Sequence, residues 1–145
     1  MASSVIRHYL VGLLNKSSEE MNTLVFTSPS GHQHELGILM AAVTAESEGW
    51  RALYLGPDLP VAEIAAATIQ AKAKAVALGL QCTMDESSLI NDLNLLRETL
   101  PENVNLIISG AAAFPLKPQL LQLPASVPEN LGQFRELLST LLSHS

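Results

Sequence analysis

The loop after the first β-type run carries the residue types best suited to chemistry. It reads Ser28-Pro-Ser-Gly-His-Gln-His-Glu-Leu-Gly37 and places His32 and His34 just before a helical stretch. Imidazole is the commonest metal ligand in proteins. Two histidines without a third nearby ligand do not form a zinc site, whereas a tetrapyrrole-type metal needs only one protein imidazole. The same pattern is typical of solvated loop residues or helix caps, so both interpretations stay open here.

Composition limits the class of protein. The chain has 145 residues and a mass of 15.5 kDa, with 48% hydrophobic and 15% charged residues, so we expect one folded domain. Eight Lys and Arg stand against fourteen Asp and Glu, giving a net charge of -6. Because no basic stripe is visible, we expect no direct nucleic-acid contact from this segment.

Three absences narrow the function further. The one cysteine, Cys82, cannot form an internal disulfide, which fits a cytoplasmic protein. The apolar runs are too short for a membrane span, so we expect no membrane association. The chain has no Gly-x-Ser-x-Gly elbow and no Gly-x-Gly-x-x-Gly after the first strand, which argues against a hydrolase or a dehydrogenase.

Hydrophobic periodicity predicts alternating strands and helices. We predict strands at 23–27, 50–55, 75–80 and 104–108, with a weak fifth near 121–123. We predict helices at 34–48, with Gly49 as its C-terminal cap, and at 61–71, 85–100 and 128–142. An amphipathic helix near 5–14 precedes the first strand. The last helix should turn five apolar residues inward: Leu131, Phe134, Leu137, Leu138 and Leu141.

This alternation predicts an α/β fold: a flavodoxin-like (Rossmann-type), doubly wound parallel sheet of five strands in the order 2-1-3-4-5. Ligands of such sheets bind beyond the carboxyl ends of the strands, at the switch point. That rule selects the loops at 28–37, 79–85 and 109–114. Gly79, Gly110 and the alanines at 111–113 leave room there for a large ligand.

Two segments resemble the cobalamin-binding domain of light-responsive MerR-type transcriptional regulators of the CarH kind. They are Gly31-His-Gln-His-Glu-Leu-Gly-Ile-Leu-Met-Ala-Ala42 and Gly49-Trp-Arg-Ala-Leu-Tyr-Leu-Gly-Pro-Asp-Leu-Pro60. The resemblance covers roughly residues 20 to 142. The wider family carries an Asp-x-His-x-x-Gly loop, a Ser-x-Leu segment and a Gly-Gly pair. Here His34-Glu-Leu-Gly37, Gly79-Leu-Gln81 and Ser109-Gly110 stand at those places, with 41 residues between Gly37 and Gly79 and 27 between Gln81 and Ser109.

The resemblance implies a corrinoid bound with its own base displaced from cobalt. His34 would be the lower axial cobalt ligand, and the nucleotide tail would lie beside Gly79, Ser109 and Gly110. The other cofactor contacts that it implies are His32, Glu35, Gly37, Gln81 and Ala111. The chain departs from the family at three of these positions: His32 replaces an acidic residue, Gly79 replaces Ser, and Ser109 replaces Gly.

The resemblance also implies a domain organisation and a function. Residues 1–16 would be a helix remaining from a four-helix-bundle cap, and residues 20–145 the cobalamin-binding domain. We expect a non-enzymatic sensory domain of a photoreceptor-type regulator whose full chain includes a DNA-binding domain, and a homo-oligomer stays open. Three alternatives remain: a corrinoid carrier subunit of a methyltransferase, a haem-binding sensor of the same fold, and a degenerate module that acts only through protein contacts.

Overall fold

The computed structural model describes residues 22–29, 36–80, 86–110, 113–123 and 125–143. The helix expected near 5–14 lies outside the described residues. The proposed division of the chain between a cap remnant and the main domain therefore stays a prediction.

Four parallel strands form the sheet. They are β1 (Thr23–Thr27), β2 (Arg51–Tyr54), β3 (Ala75–Gly79) and β4 (Asn105–Ser109), in the order β2-β1-β3-β4. Each strand is a short apolar run followed by a helix, as expected for crossover units that bury both faces of a sheet. The order confirms the predicted α/β class and the first four places of the flavodoxin-like arrangement.

Five α-helices in the described part of the chain cover the two faces of the sheet. Residues that alternate along a strand point to opposite faces, so Val76 and Leu78 pack against one helical layer and Ala75 and Ala77 against the other. The first layer contains α2, α3 and α4, and the second contains α1 and α5. The helices are α1 (Leu36–Ser47), α2 (Val61–Gln70), α3 (Glu86–Thr99), α4 (Lys117–Leu121) and α5 (Leu131–Ser143).

The fifth strand predicted near 121–123 is wrong. That stretch ends the short helix α4, which has Pro118 in its first turn, where the fixed φ of proline favours a helix start. A single parallel bridge beside β4 takes the place of a strand. Ser126 donates its N–H to the Leu106 carbonyl at 2.9 Å and accepts from the Ile108 N–H at 2.8 Å.

Helix α1 ends as the sequence predicts. Gly49 has a φ of +93°, and its N–H donates to the Glu46 carbonyl at 3.2 Å. The Trp50 N–H reaches back to the Ala45 carbonyl at 3.1 Å, which completes a Schellman motif. The indole of Trp50 is buried and donates to the Leu138 carbonyl at 3.3 Å. The end of α1 is thereby joined to α5.

The inward face of α5 is confirmed in part. Phe134 and Leu138 are buried, and Leu137 and Leu141 are half-buried. Leu131 was predicted to face the core, but 44% of its surface is exposed. The reason is its position in the first turn of α5, where the helix borders a cavity instead of the sheet.

The loop after β2 is held against the end of β1. Thr27 Oγ1 donates to the Gly56 carbonyl at 2.7 Å. The Asp58 N–H donates to Ser28 Oγ, and the Leu59 N–H to the Ser28 carbonyl, both at 2.9 Å. Asp58 adopts a φ of +64°, a conformation that Asp tolerates in turns. These bonds fix one side of the carboxyl edge of the sheet.

Replacing Thr27 by Val tests this connection. We expect Thr27→Val to lower the free energy of unfolding by about 1–2 kcal/mol, because the shape is kept while the Gly56 carbonyl loses its donor. Thr68→Val is the matched control, since the Thr68 hydroxyl donates to the Ile64 carbonyl, which is already paired within α2. Its expected loss is below about 0.5 kcal/mol. Urea unfolding measures both, and equal losses would contradict the role given to Thr27.

Candidate functional site

A cavity of about 690 Å³ lies at the carboxyl ends of β1, β3 and β4, between α1 and α5. Its volume falls within the range of small-molecule and cofactor pockets. This is the edge of the sheet that the strand-end rule selects. The side chains that line it are contributed by three strands, two helices and the segments before α4 and α5.

The floor of the cavity is built from the sheet. Phe26 on β1, Ala77 and Gly79 on β3 and Ser109 on β4 line it. Gly79 and Ser109 are direct partners in the parallel register of β3 and β4. The small residues Ala77 and Gly79 on β3 therefore leave space for a ligand. The hydroxyl of the floor belongs to Ser109 on the neighbouring strand, β4.

Gly79 leaves room for the side chain of Ile38, on α1, against the sheet. A Cβ atom at this position would lie 2.9 Å from Cγ1 of Ile38, closer than real Cβ contacts. Ile38 is the first apolar residue after Gly37 in α1, and only 6% of it is exposed. The side chain of Ile38 thus fills the volume that a serine at position 79 would need.

Gly110 is required by its surroundings. Its φ is +105°, and a Cβ atom there would collide with the Leu80 carbonyl oxygen and lie 2.8 Å from the Leu80 nitrogen. The Leu80 N–H also donates to the Ser109 carbonyl at 2.7 Å, beyond the last residues of both strands. The chain after β4 therefore passes directly over the chain after β3, and only glycine permits this approach.

The mouth of the cavity is formed by the start of α5. Asn130 Oδ1 accepts the Gln133 N–H at 2.9 Å as the helix cap, and Gln133 Oε1 accepts the Glu129 N–H at 2.8 Å. Glu129 Oε1 also pairs with Lys117 Nζ at 3.0 Å; both side chains are more than a third exposed, so this pair contributes little stability. These contacts orient the segment that closes the cavity.

The walls of the cavity are apolar. Phe134 of α5 packs edge-on against Phe26, with ring centroids 6.2 Å apart and an interplanar angle of 77°. Two large apolar side chains at the border of the cavity stay open to solvent, Phe114 at 63% and Leu131 at 44% exposure. The site thus combines an apolar interior with an apolar rim.

The structure brings four of the predicted contact residues together. Gly37, Gly79, Ser109 and Gly110 all line this one cavity. The other predicted contacts lie outside the described residues, so their roles stay predictions: His32, His34, Glu35, Gln81 and Ala111.

Sequence reasoning missed the walls and the mouth. The residues concerned include Ile38 and Ala41 of α1, Phe134 of α5, and Glu129 and Asn130 before it. One signal was available: Ile38 and Ala41 follow Gly37 at helical spacing, so the face of α1 that carries Gly37 could have been assigned to the site. The contribution of α5 had no local signal, because it depends on how the last helix returns to the sheet.

The described residues contain neither a metal-binding cluster nor a membrane-spanning helix. Within them, no group of three or more His, Cys, Asp or Glu residues is placed to hold a metal ion. No helix among them combines the length and the apolar character that crossing a membrane requires.

The sequence comparisons give one partial match. No known protein-family profile matches the chain. The HTH-type transcriptional repressor CarA of Myxococcus xanthus is 40% identical over 50 residues. This match covers 34% of the chain and 17% of the repressor, so the chain corresponds to a small part of that protein.

Solved structures share the fold over most of the chain. A cobalamin-binding protein from Desulfitobacterium hafniense DCB-2 matches 84% of this chain and 60% of its own length, with a TM-score of 0.70 and 18% identity. The monomethylamine corrinoid protein of Methanosarcina barkeri matches 97% of this chain and 66% of its own length, with a TM-score of 0.70 and 19% identity. A flavodoxin-like domain from Synechococcus sp. matches with a TM-score of 0.54 and 12% identity, over 86% of this chain and all of that domain. The chain therefore has the flavodoxin-like fold that cobalamin-binding proteins share, and it spans less than two thirds of the two cobalamin and corrinoid proteins.

The crossing at Gly110 yields a testable prediction. We expect Gly110→Ala to lower the free energy of unfolding by about 3 kcal/mol or more, because it adds a backbone collision to a strained φ. Gly56→Ala is the control, since Gly56 has a similar φ of +91° but no atom within 4 Å of the added Cβ. It should cost only about 1 kcal/mol. Denaturant unfolding compares the two variants, and similar losses would show that the crossing over Leu80 is not a steric constraint.

Proposed function

We propose that this chain is a corrinoid-binding domain whose cavity holds the nucleotide tail of cobalamin. One observation carries the proposal: Gly37, Gly79, Ser109 and Gly110, selected by family resemblance at distant points of the sequence, line the same cavity. The shared fold of the two cobalamin and corrinoid proteins supports it independently.

His34, which precedes α1, is proposed as the lower axial cobalt ligand. The cofactor supplies the cobalt chemistry when bound, and the protein supplies binding, orientation and exclusion of water. The buried side chains of Phe26, Ile38 and Phe134 would enclose the tail in apolar surroundings. His32 and Glu35 are proposed to lie near the cobalt ligand, and Gln81 and Ala111 near the tail.

The exposed apolar rim fits the same ligand. Phe114 and Leu131 present apolar surface at the border of the cavity, and exposed apolar surface next to a pocket marks a binding site. A corrin ring, held above a tail that enters the cavity, would cover such a rim. Haem is the weaker candidate, because two solved structures that share the fold over most of the chain are cobalamin and corrinoid proteins.

We further propose that the domain is the sensory part of a cytoplasmic transcriptional regulator and not itself an enzyme. The 40% identity to part of a transcriptional repressor supports this role. The net charge of -6 argues that DNA contact belongs to another domain of the full regulator. Light is the proposed signal, and a homo-oligomer is the proposed assembly of the full regulator.

A corrinoid carrier subunit is the second candidate. It is favoured by the monomethylamine corrinoid protein, whose fold matches 97% of this chain. The coding sequence upstream of this segment separates the two candidates. A DNA-binding domain encoded there would support the regulator. If no such domain is encoded and a methyltransferase gene is adjacent, the carrier would be supported.

Cofactor retention tests the proposed ligand. After incubation with excess hydroxocobalamin in the dark and desalting, we expect the chain to retain a stoichiometric amount with a shifted absorption spectrum. His34→Ala should abolish the shift, because cobalt loses its imidazole ligand. His144→Ala, a histidine change far along the chain, should behave as wild type. Retention with the same spectrum in His34→Ala would contradict cobalt ligation by His34, and no retention by the wild-type chain would contradict the function.

Filling the cavity tests the tail site separately. Ala41 lies on the cavity wall, and we expect Ala41→Phe to weaken cobalamin binding at least about tenfold because the new ring occupies the space of the tail. Ala66→Phe is the matched control, since Ala66 is exposed on α2, on the opposite face of the sheet. Equilibrium dialysis gives both affinities, with circular dichroism to verify folding. Unchanged affinity in a folded Ala41→Phe protein would place the tail elsewhere.

A further inference from the structure

We propose that the cavity selects corrinoids by the base of the nucleotide tail, and that Ser109 Oγ donates the one hydrogen bond that the base receives from the cavity floor. The class selected is the benzimidazole type, which offers a single ring-nitrogen acceptor and otherwise apolar edges. Purine-type bases such as adenine would be disfavoured. The inference rests on the proposed corrinoid function and goes beyond it by naming the class of ligand.

The position of Ser109 follows from the register of β4. Leu106 and Ile108 belong to the core on the α2 and α3 side of the sheet, and Ile107 belongs to the core on the α1 and α5 side. Because side chains alternate along a strand, Ser109 faces the same side as Ile107. That side is where the cavity lies, and Ser109 is among its lining residues.

Ser109 is the hydroxyl that the floor offers to a ligand. The other described polar side chains that line the cavity are Glu129 and Asn130, both at its mouth. Glu129 is paired with Lys117, and Asn130 accepts the Gln133 N–H. Within the described part of the chain, the Ser109 side chain makes no hydrogen bond, whereas its carbonyl accepts from Leu80.

The partner position on β3 cannot supply a second hydroxyl. Gly79 is the register partner of Ser109, and Ile38 occupies the space that a side chain at Gly79 would need. Beyond Ser109, the floor and walls present Phe26, Ala77, Ile38 and Phe134, which have no side-chain donor or acceptor.

The polar groups of the described lining residues favour one class of base. A benzimidazole displaced from cobalt has one ring nitrogen that needs a donor, and a single serine hydroxyl can provide it. Adenine adds an amino group and further ring nitrogens, for which the described residues of the floor offer no side-chain partners. Each buried polar group left unpaired costs on the order of tenfold in affinity. The dimethylated benzo edge of cobalamin, in contrast, meets an apolar wall that suits it.

Three corrinoids and three proteins test the inference. The corrinoids are cobalamin, its analogue with adenine as lower base, and cobinamide, which lacks the nucleotide tail. The proteins are the wild-type chain, Ser109→Ala and Ser126→Ala. Ser126 lies beside β4 but does not line the cavity, so it controls for the loss of a serine in the same region. Equilibrium dialysis in the dark gives the nine dissociation constants.

We expect the wild-type chain to bind cobalamin at least about tenfold more tightly than the adenine analogue. Ser109→Ala should weaken cobalamin binding by about three- to tenfold and leave cobinamide binding unchanged, and Ser126→Ala should match wild type. Equal binding of cobalamin and the adenine analogue, or equal weakening of cobalamin and cobinamide by Ser109→Ala, would overturn the inference while the proposed function stands. Failure of the wild-type chain to bind cobalamin would overturn both.

Discussion

Two close contacts set the shape of the carboxyl edge of the sheet: Gly79 with the Ile38 side chain, and Gly110 with the Leu80 backbone. At the first, α1 lies so near β3 that Ile38 would meet any Cβ added to Gly79. At the second, the chain leaving β4 passes directly over Leu80. Both glycines line the cavity between α1 and α5. A side chain at Gly110 would collide with the Leu80 backbone, and one at Gly79 would require the Ile38 side chain to move, so the shape of the cavity depends on glycine at both positions.

Helix α5, which borders the cavity, is held at its start and near its middle. At its start, Asn130 caps the helix, and the side chain of Gln133 fixes the preceding segment. Near its middle, the indole of Trp50 donates to the Leu138 carbonyl. Phe134 lies between these two anchors and touches Phe26 over the floor. With only one of these two contacts the helix would be free to tilt onto the sheet and fill the space, since protein interiors favour dense packing.

The alternation of strands and helices could be predicted from local pattern because each element carries its own periodicity. The predicted strand at 23–27 and the Gly49 cap agree with the structure for that reason. The predicted fifth strand failed because a proline-started helix competes for the same apolar residues, and the bridge at Ser126 has little local signal. The floor glycines could be identified from motif spacing. The opposing wall of α1 and α5 could not, because contacts between distant elements depend on tertiary packing.

The departures at positions 79 and 109 belong to one structural arrangement. The resembling family has a hydroxyl on the β3 side and glycine on the β4 side, whereas this chain has Gly79 and Ser109 in those places. Since the two residues are register partners, the exchange moves the hydroxyl to the adjacent strand and keeps it on the same face of the sheet. Ile38 occupies the volume vacated on β3. Considered singly, each substitution removes a family feature; considered as a pair, they preserve one small residue and one hydroxyl on the cavity floor. A base entering the cavity would therefore meet its hydrogen-bond donor from β4, with an aliphatic side chain against it from α1.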